Sequence, residues 1–466
     1  MIAYFTSVLL FALWEVVRPK TGLLPPGPRS GLVAKQPRAA ALVVMVALVA
    51  LFALQLALLR WAAYHQQVNS AWFYRLPIPI VTDRGPFVPD IRQAVSLSLL
   101  AIVIAQCAAL YLLHRILLSG SGAQRGLMVA GCAALVAMAV FAPVVTSGDI
   151  YAYVSDALLG WGAYHPTAQR LPGNFGLVND YWGSPPWPSP YGPLFIALDH
   201  YIVGGAKLSL FGSLLLLRFI NAAGLVAVIV LLRRLKVEPA TIALLACNPY
   251  FIFELIADGH NDMLALALTL GAFSARSQLV AAALAIAAGL IKLPYAFVCA
   301  ICFAAKGTLA QRLALTASVI ITAVTVSVLV GGLPYVGGLG VQAVYAARAF
   351  NPERVVPHGL ALAFAVIALI AALVAARKFV AAAWAMPALT INLYPWYLTM
   401  GLPYAIYQRS ALPVFCVLYP LAAFALDPCF SVPWLPAALV AAPLVFAAFE
   451  MIFRRRVPEP TGQGVV

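Results

Sequence analysis

Hydrophobic residues run along this chain in long blocks rather than in alternation. Apolar stretches occupy 2–17, 39–59, 93–113, 126–145, 208–232, 240–257, 262–275, 278–291, 294–305, 313–331, 358–376, 379–393, 397–408, 411–426 and 435–452. A block that is apolar on every face predicts a helix surrounded by nonpolar material, whereas a membrane barrel strand alternates with a period of two. Crossing a hydrocarbon core of about 30 Å at about 1.5 Å per residue takes roughly twenty residues, and several blocks are shorter. The pattern therefore predicts an all-α polytopic membrane protein with about thirteen transmembrane helices. The blocks 278–291 and 294–305, split by Lys292-Leu293-Pro294, predict a hairpin that does not fully cross. Met1–Val17 lacks a basic start and a small-residue cleavage site, so it reads as a retained first helix.

Composition narrows the class further. Hydrophobic residues make up 64% of the chain and charged residues 9%, against about 25% charged in soluble domains. The net charge of +14 would suggest nucleic acid in a soluble protein. Here the basic residues gather in short loops, where topology and anionic headgroups account for them, so no nucleic-acid partner is expected. Of the seven cysteines, Cys107, Cys132, Cys247, Cys299, Cys302 and Cys416 lie inside apolar runs. Cys299 and Cys302 have redox spacing but share an apolar block, which reads as core packing.

The loop charges also predict an orientation. Arg18, Lys20, Arg29, Lys35 and Arg38, then Arg115 and Arg125, then Arg233, Arg234 and Lys236 mark successive loops of one side. Arg276, Lys306 with Arg312, Arg377 with Lys378, Arg409 and Arg454-Arg455-Arg456 continue the series. By the positive-inside bias these loops are cytoplasmic, which puts the N-terminus outside and the C-terminus inside. Asp83, Asp90, Asp149, Asp156, Asp180, Asp199, Asp258, Asp262, Glu353 and Asp427 fall in or beside segments of the opposite face. The chemistry is therefore expected on the outer face of the membrane. The chain reads as a single integral membrane domain over 1–466. N-terminal helices occupy 1–125, a core 126–410 carries a large outer loop 146–207, and 411–466 holds C-terminal helices and a cytoplasmic tail. No internal repeat of fixed period is visible.

Candidate chemistry starts at Asp149, which ends the apolar run 126–145 in Thr146-Ser147-Gly148-Asp149-Ile150-Tyr151-Ala152-Tyr153. A carboxylate at the mouth of a membrane helix is expensive unless water or substrate meets it, although it also suits an N-cap. Asp156 stands seven residues on, nearly the same face if 149–159 is helical. The loop behind holds Trp161, Trp182 and Trp187 in a stretch rich in Pro, fit for sugar stacking or for an interfacial belt. Its end, Tyr191–Val203, predicts a short interfacial helix. Asp258-Gly259-His260-Asn261-Asp262 packs polar side chains around a glycine. That turn could bind sugar hydroxyls, ligate a divalent ion or cap the next helix; a metal is possible but not indicated. Lys292 either snorkels or meets a phosphate, and Arg218 poses the same question. Tyr394-Pro395-Trp396-Tyr397 suits a carbohydrate or polyprenyl platform, or an anchor. The expected outer loop Gly337–His358 carries Arg348, Arg354 and His358.

Six short motifs occur in order: Gly148-Asp149-Ile150-Tyr151-x-Tyr153, Pro190-Tyr191-Gly192-Pro193-Leu194, Asn248-Pro249, Gly259-His260-Asn261-Asp262, Lys292-Leu293-Pro294 and Tyr394-Pro395-Trp396-Tyr397. Together they resemble the bacterial polyprenyl-phosphate-mannose-dependent mannosyltransferases of the GT-C superfamily, the lipomannan alpha-mannosyltransferase type, over about residues 126–410. The resemblance implies a GT-C-like helical bundle and a catalytic base at Asp149. Gly259-His260-Asn261-Asp262 would form part of the active-site wall. The implied partners are a polyprenyl-phosphate-linked sugar donor, a glycan or glycolipid acceptor and membrane lipids, with no cofactor. Candidate substrate-binding residues are Tyr151, Tyr153, Asp156, Trp187, Tyr191, Asp258, His260, Asn261, Asp262, Lys292, Arg354, Tyr394, Trp396 and Tyr397. The expected reaction is an inverting transfer of a sugar, on the resemblance mannose, in which Asp149 deprotonates the acceptor hydroxyl. The alternative is a secondary transporter or flippase for a sugar, anion or lipid-linked glycan, which would also explain membrane carboxylates and broken helices.

Overall fold

The computed structural model describes residues 37–65, 89–119, 124–142, 147–165, 188–302, 308–348, 395–406 and 411–426, with isolated positions at 144, 171, 175, 178, 370 and 386. The expected spans 2–17, 358–376, 379–393 and 435–452 fall outside these apart from Ile370 and Met386, as do Trp187, Arg354 and Tyr394. Every element among the described residues is helical.

The helices are α1 (Pro37–His65), α2 (Pro89–Ser119), α3 (Arg125–Val140), α4 (Asp149–Leu159), α5 (Pro193–Asp199), α6 (Leu210–Arg234), α7 (Pro239–Ala246), α8 (Pro249–Ile252), α9 (Asp262–Ser274), α10 (Gln278–Ile291), α11 (Pro294–Cys302), α12 (Leu309–Arg348), α13 (Leu402–Ala405) and α14 (Ala411–Leu426). Single turns of wider or tighter pitch extend some of them: 3₁₀ at Gly160–Tyr164 and Pro395–Gly401, π at His200–Gly204 and Phe253–Ala257. Several bounds sit within a residue or two of the expected blocks, because the flanking Pro, Gly and charged residues end the apolar run and the helix together.

Four of the described helices are long and apolar enough to cross a bilayer, or five if α7 and the Pro249–Ala257 segment, bent by 54°, count as one span. Others are short: α9 and α10, of 13 and 14 residues, reach about 20 Å at 1.5 Å per residue. The expected total of about thirteen spans is thus not reached by full-length helices among the described residues. The loop expected from Gly337 is helical as far as Arg348, since α12 continues past a break at Gly332 (φ 62°). The expected 397–408 block is a 3₁₀ turn followed by the short α13.

The outside of the bundle is as greasy as its inside. Leu333 and Leu279 are 83% and 80% exposed, which is tolerable where lipid is the solvent. Some of the polar groups inside are paired. Gln106 of α2 donates to Gln55 of α1 at 2.8 Å, between two helices that pack side by side. Asn248 caps the start of α8 by accepting from the backbone of Tyr250 and Phe251 while donating to the Cys416 carbonyl at 2.7 Å. The Asn248-Pro249 motif is therefore a hinge pinned to α14.

Arg218 answers its question structurally. Its side chain is fully buried, and it donates from Nε to the Ala257 carbonyl (2.7 Å) and from Nη1 to Val140 and Ala142 (2.9 and 2.8 Å). Carbonyls at helix C-termini lack intrahelical partners and carry partial negative charge. One guanidinium thus ties the ends of α3 and the Phe253–Ala257 turn to α6.

Candidate active site

Two helix starts converge. Asp149 is the first residue of α4 and Asp262 the first of α9, behind the caps Gly148 and Asn261. The Asp149 N–H donates to Ser147 Oγ at 3.2 Å. Acidic side chains are stabilised in a first helical turn by the exposed N–H groups and the helix dipole.

Gly259 is what allows the two starts to meet. Its φ is +74°, and a Cβ there would come within 2.5 Å of the Ile150 side chain. Only glycine takes that left-handed turn without strain while lying flat against α4. The turn carries His260 to Asp149, with Nδ1 3.6 Å from Oδ2. It also brings the Asn261 N–H to the Tyr153 hydroxyl, which accepts at 3.4 Å. Gly192 performs a similar service: its N–H donates to the Ile291 carbonyl at 3.1 Å, and a Cβ would meet the Leu290 carbonyl at 2.1 Å. The Pro190–Pro193 motif is thereby held against the end of α10.

Aromatic rings close the wall. His260 stacks on Trp396 (centroids 3.8 Å, 20°), and Trp396 meets Tyr397 edge-on. Tyr153 packs edge-to-face with Tyr191 and Phe195 at 5.0 and 4.9 Å. Lys292 Nζ lies 4.5 Å above the Tyr397 ring and donates to Asp262 Oδ2 at 2.6 Å. The other Asp262 oxygen accepts from the Tyr295 hydroxyl at 3.1 Å, and that hydroxyl also bonds Thr399 at 2.7 Å. Lys292 therefore does not snorkel to a surface; it is buried against a carboxylate.

Within this enclosure Asp149 keeps 22% of its side chain accessible, while its neighbour His260 keeps none. Burial pushes the Asp149 carboxyl up. The contact and charge of His260, the Lys292 ammonium and the Tyr191 hydroxyl outweigh it and hold the group below the ordinary carboxylate range. It is a carboxylate, partly open, with a proton acceptor's electron pair to offer.

The remaining sequence candidates lie as follows. Asp149, Tyr153, Tyr191, His260, Asn261, Asp262, Lys292, Trp396 and Tyr397 belong to one connected cluster. Asp156 is buried and accepts from Ser189 Oγ at 2.8 Å; burial drives its carboxyl up to about 8, with Ser189 working against that. Tyr151 and Asp258 are buried on the side of Arg218. Tyr295, Thr399 and Glu254 were not anticipated. Glu254 had a signal, since a carboxylate inside the apolar run Tyr250–Ala257 is costly and rare. Glu254, Asp258 and His260 each offer a ligand atom within 4.8 Å of the others, all three buried. No long-range pattern marked Tyr295 or Thr399.

A membrane protein whose described elements are all helical, with a partly open carboxylate walled by tryptophan, tyrosine and histidine, has the build of an integral membrane glycosyltransferase. Residues 61–310 match the sequence profile described as alpha-(1->6)-mannopyranosyltransferase, N-terminal domain, and the chain belongs to that family. Over 141 residues it is 28% identical to the alpha-(1->6)-mannopyranosyltransferase Rv1459c of Mycobacterium tuberculosis, covering 28% of this chain and 24% of that protein. The matched stretch is thus about a quarter of the relative's length. No solved structure matches the chain. The family reached from six short motifs is the family found.

Proposed function

We propose that this chain transfers a mannosyl residue from a polyprenyl-phosphate donor to a hydroxyl of a lipid-linked or cell-envelope glycan at the outer face of a bacterial plasma membrane. The observation that carries the reading is Asp149: the one acidic group of the cluster left partly open, ionised, and faced by His260 rather than by a capping bond. Asp149 takes the proton of the acceptor hydroxyl as its oxygen attacks the anomeric carbon from the side opposite the phosphate. The C–O bond to the phosphate breaks, the phosphate leaves with the electron pair, and the configuration inverts. General-base help of this kind is worth about 10²–10⁴-fold.

His260 orients Asp149, and its stacked partner Trp396 gives a flat apolar face suited to a sugar ring. Lys292 has three N–H donors and spends one on Asp262, so it retains donors for the leaving phosphate. Arg354, Tyr394, Trp187, Tyr151, Asp156 and Asp258 are the further proposed substrate contacts. A polyprenyl tail would lie in the lipid-facing part of 126–410, the proposed GT-C-like core.

Purified full-length protein incubated with polyprenyl-phosphate [¹⁴C]mannose and a mannoside acceptor should give an alpha-linked product, read by chromatography and glycosidase digestion. Absence of transfer with that donor, alongside transfer from a nucleotide sugar, would overturn the donor and the sidedness together. Sidedness has its own test, in a background without the native cysteines. A cysteine at Gly337, where a Cβ meets nothing within 4 Å, should react with an impermeant thiol reagent in intact cells. A cysteine at Glu238 should react only after permeabilisation.

A further inference from the structure

We propose that Glu254, Asp258 and His260 form a divalent-cation site directly behind the Asp149 pocket, independent of which donor is used. Glu254 lies in the π turn Phe253–Ala257, which closes when the Asp258 N–H donates to the Phe253 carbonyl five residues back at 3.0 Å. The widened turn sets two carboxylates four residues apart on one face, and such turns are concentrated at functional sites. The left-handed Gly259 then folds His260 back toward them. The result is two carboxylates and an imidazole with ligand atoms within 4.8 Å of one another, all at zero exposure.

The electrostatics of that arrangement call for a cation. Two carboxylates this close in a low-dielectric interior need shared protons or a positive ion. Arg218 brings one positive charge near Asp258, while its Nε and Nη1 bind the carbonyls of Ala257, Val140 and Ala142. His260 supplies the independent sign of a ligand. It is wholly buried, yet neither ring nitrogen makes a hydrogen bond; Nδ1 stops 3.6 Å from Asp149. Buried polar groups are nearly always satisfied, so an unsatisfied imidazole beside two carboxylates asks for a partner.

Bonds of about 2.0–2.2 Å to an ion would draw the three ligand atoms to roughly 3.3 Å apart, a small contraction for a side chain as flexible as Glu254. Mixed imidazole and carboxylate donors suit Zn²⁺ or Mn²⁺ better than Mg²⁺ or Ca²⁺, which favour oxygen alone. His260 would then be shared between the ion and Asp149, and a carboxylate behind a metal-bound histidine is the usual device that sets its orientation. The ion would act by positioning His260, and through it Asp149.

The test reads the ion, not turnover. Full-length protein in nanodiscs is stripped with EDTA, re-equilibrated with Zn²⁺ or Mn²⁺, and analysed by mass spectrometry for metal and by melting of its intrinsic fluorescence. We expect one equivalent of ion per chain and a melting temperature that falls on chelation and recovers on readdition. Glu254→Gln and Asp258→Asn should lose the ion and its thermal effect. Bound Mn²⁺ should show nitrogen coupling in its spin-echo spectrum, absent in His260→Gln. If the variants do not fold, the wild-type stoichiometry and nitrogen coupling decide. A wild-type chain that takes up neither ion, Mn²⁺ bound without nitrogen coupling, or folded variants that retain the full equivalent would each overturn the site.

Discussion

Two aspartates seven residues apart on α4 show how placement sets chemistry. Asp149, at the helix start, keeps a fifth of its side chain open and is held low by His260, Lys292 and Tyr191. Asp156, two turns on, is sealed, has Ser189 as its hydrogen-bond donor, and is driven up to about 8 by burial. Asp199 stands behind it with neither oxygen hydrogen-bonded, and burial first, then the Asp156 charge, push its carboxyl up. Same residue, same helix, opposite protonation at neutral pH: one group is equipped to take a proton and the other already holds one. Pairs of carboxyls with divergent environments are how a site divides acid from base.

The largest effect should come from making Asp149 resemble its neighbour. Asp149→Asn keeps the shape and removes the base, so the transfer rate should fall by about 10²-fold or more with the fold intact by circular dichroism. Near-normal turnover would remove Asp149 from the chemistry. Next in size is Lys292→Met, which leaves the buried Asp262 carboxylate without its ammonium. Breaking a buried pair from one side costs about 3–5 kcal/mol, measurable by denaturation in detergent. The double variant Lys292→Met with Asp262→Asn should recover most of that loss. A smaller change is Gly259→Ala. A methyl at φ +74° against Ile150 should cost about 1–3 kcal/mol and lower turnover further by moving His260 from Asp149.

The smallest effect at neutral pH probes the other half of the comparison. The native Asp156 carboxyl stays protonated up to about 8, while the unfolded chain ionises near its ordinary value of 3.8. Unfolding therefore releases a proton between those two values. This group's contribution to stability is complete below about pH 4 and is lost progressively as pH rises to about 8. Asp199 and Tyr164 face the same site, and after burial the Asp156 charge is among the causes that push both of their groups up. Asp156→Asn should flatten that part of the melting-temperature profile and exceed the wild type most above pH 8. A parallel profile in the variant would mean that Asp156 ionises normally.

Much of this was legible from composition and spacing. Lipid as the solvent, the helical class and the bounds of α10 and α14 follow from apolar blocks, and the proposal of Asp149 and the Gly259–Asp262 turn as site residues comes from the polar residues that interrupt them. These are local or additive properties, and a chain carries them in order. The six motifs were sufficient to point to the mannosyltransferase family because each marks a helix end, where backbone geometry constrains which residue fits.

What pairs with what was not legible. Lys292 could be read as a snorkelling base or a phosphate partner, and the fold set it against Asp262, thirty residues away. Arg218 could have lined a cavity, and it became a clasp for three carbonyls. Glu254 drew no notice in sequence until a single widened turn aligned it with Asp258 and His260. The opposite protonation of Asp149 and Asp156 has the same origin. Charge in a low-dielectric interior depends on distances of a few ångströms between segments far apart in the chain, and only packing supplies those distances.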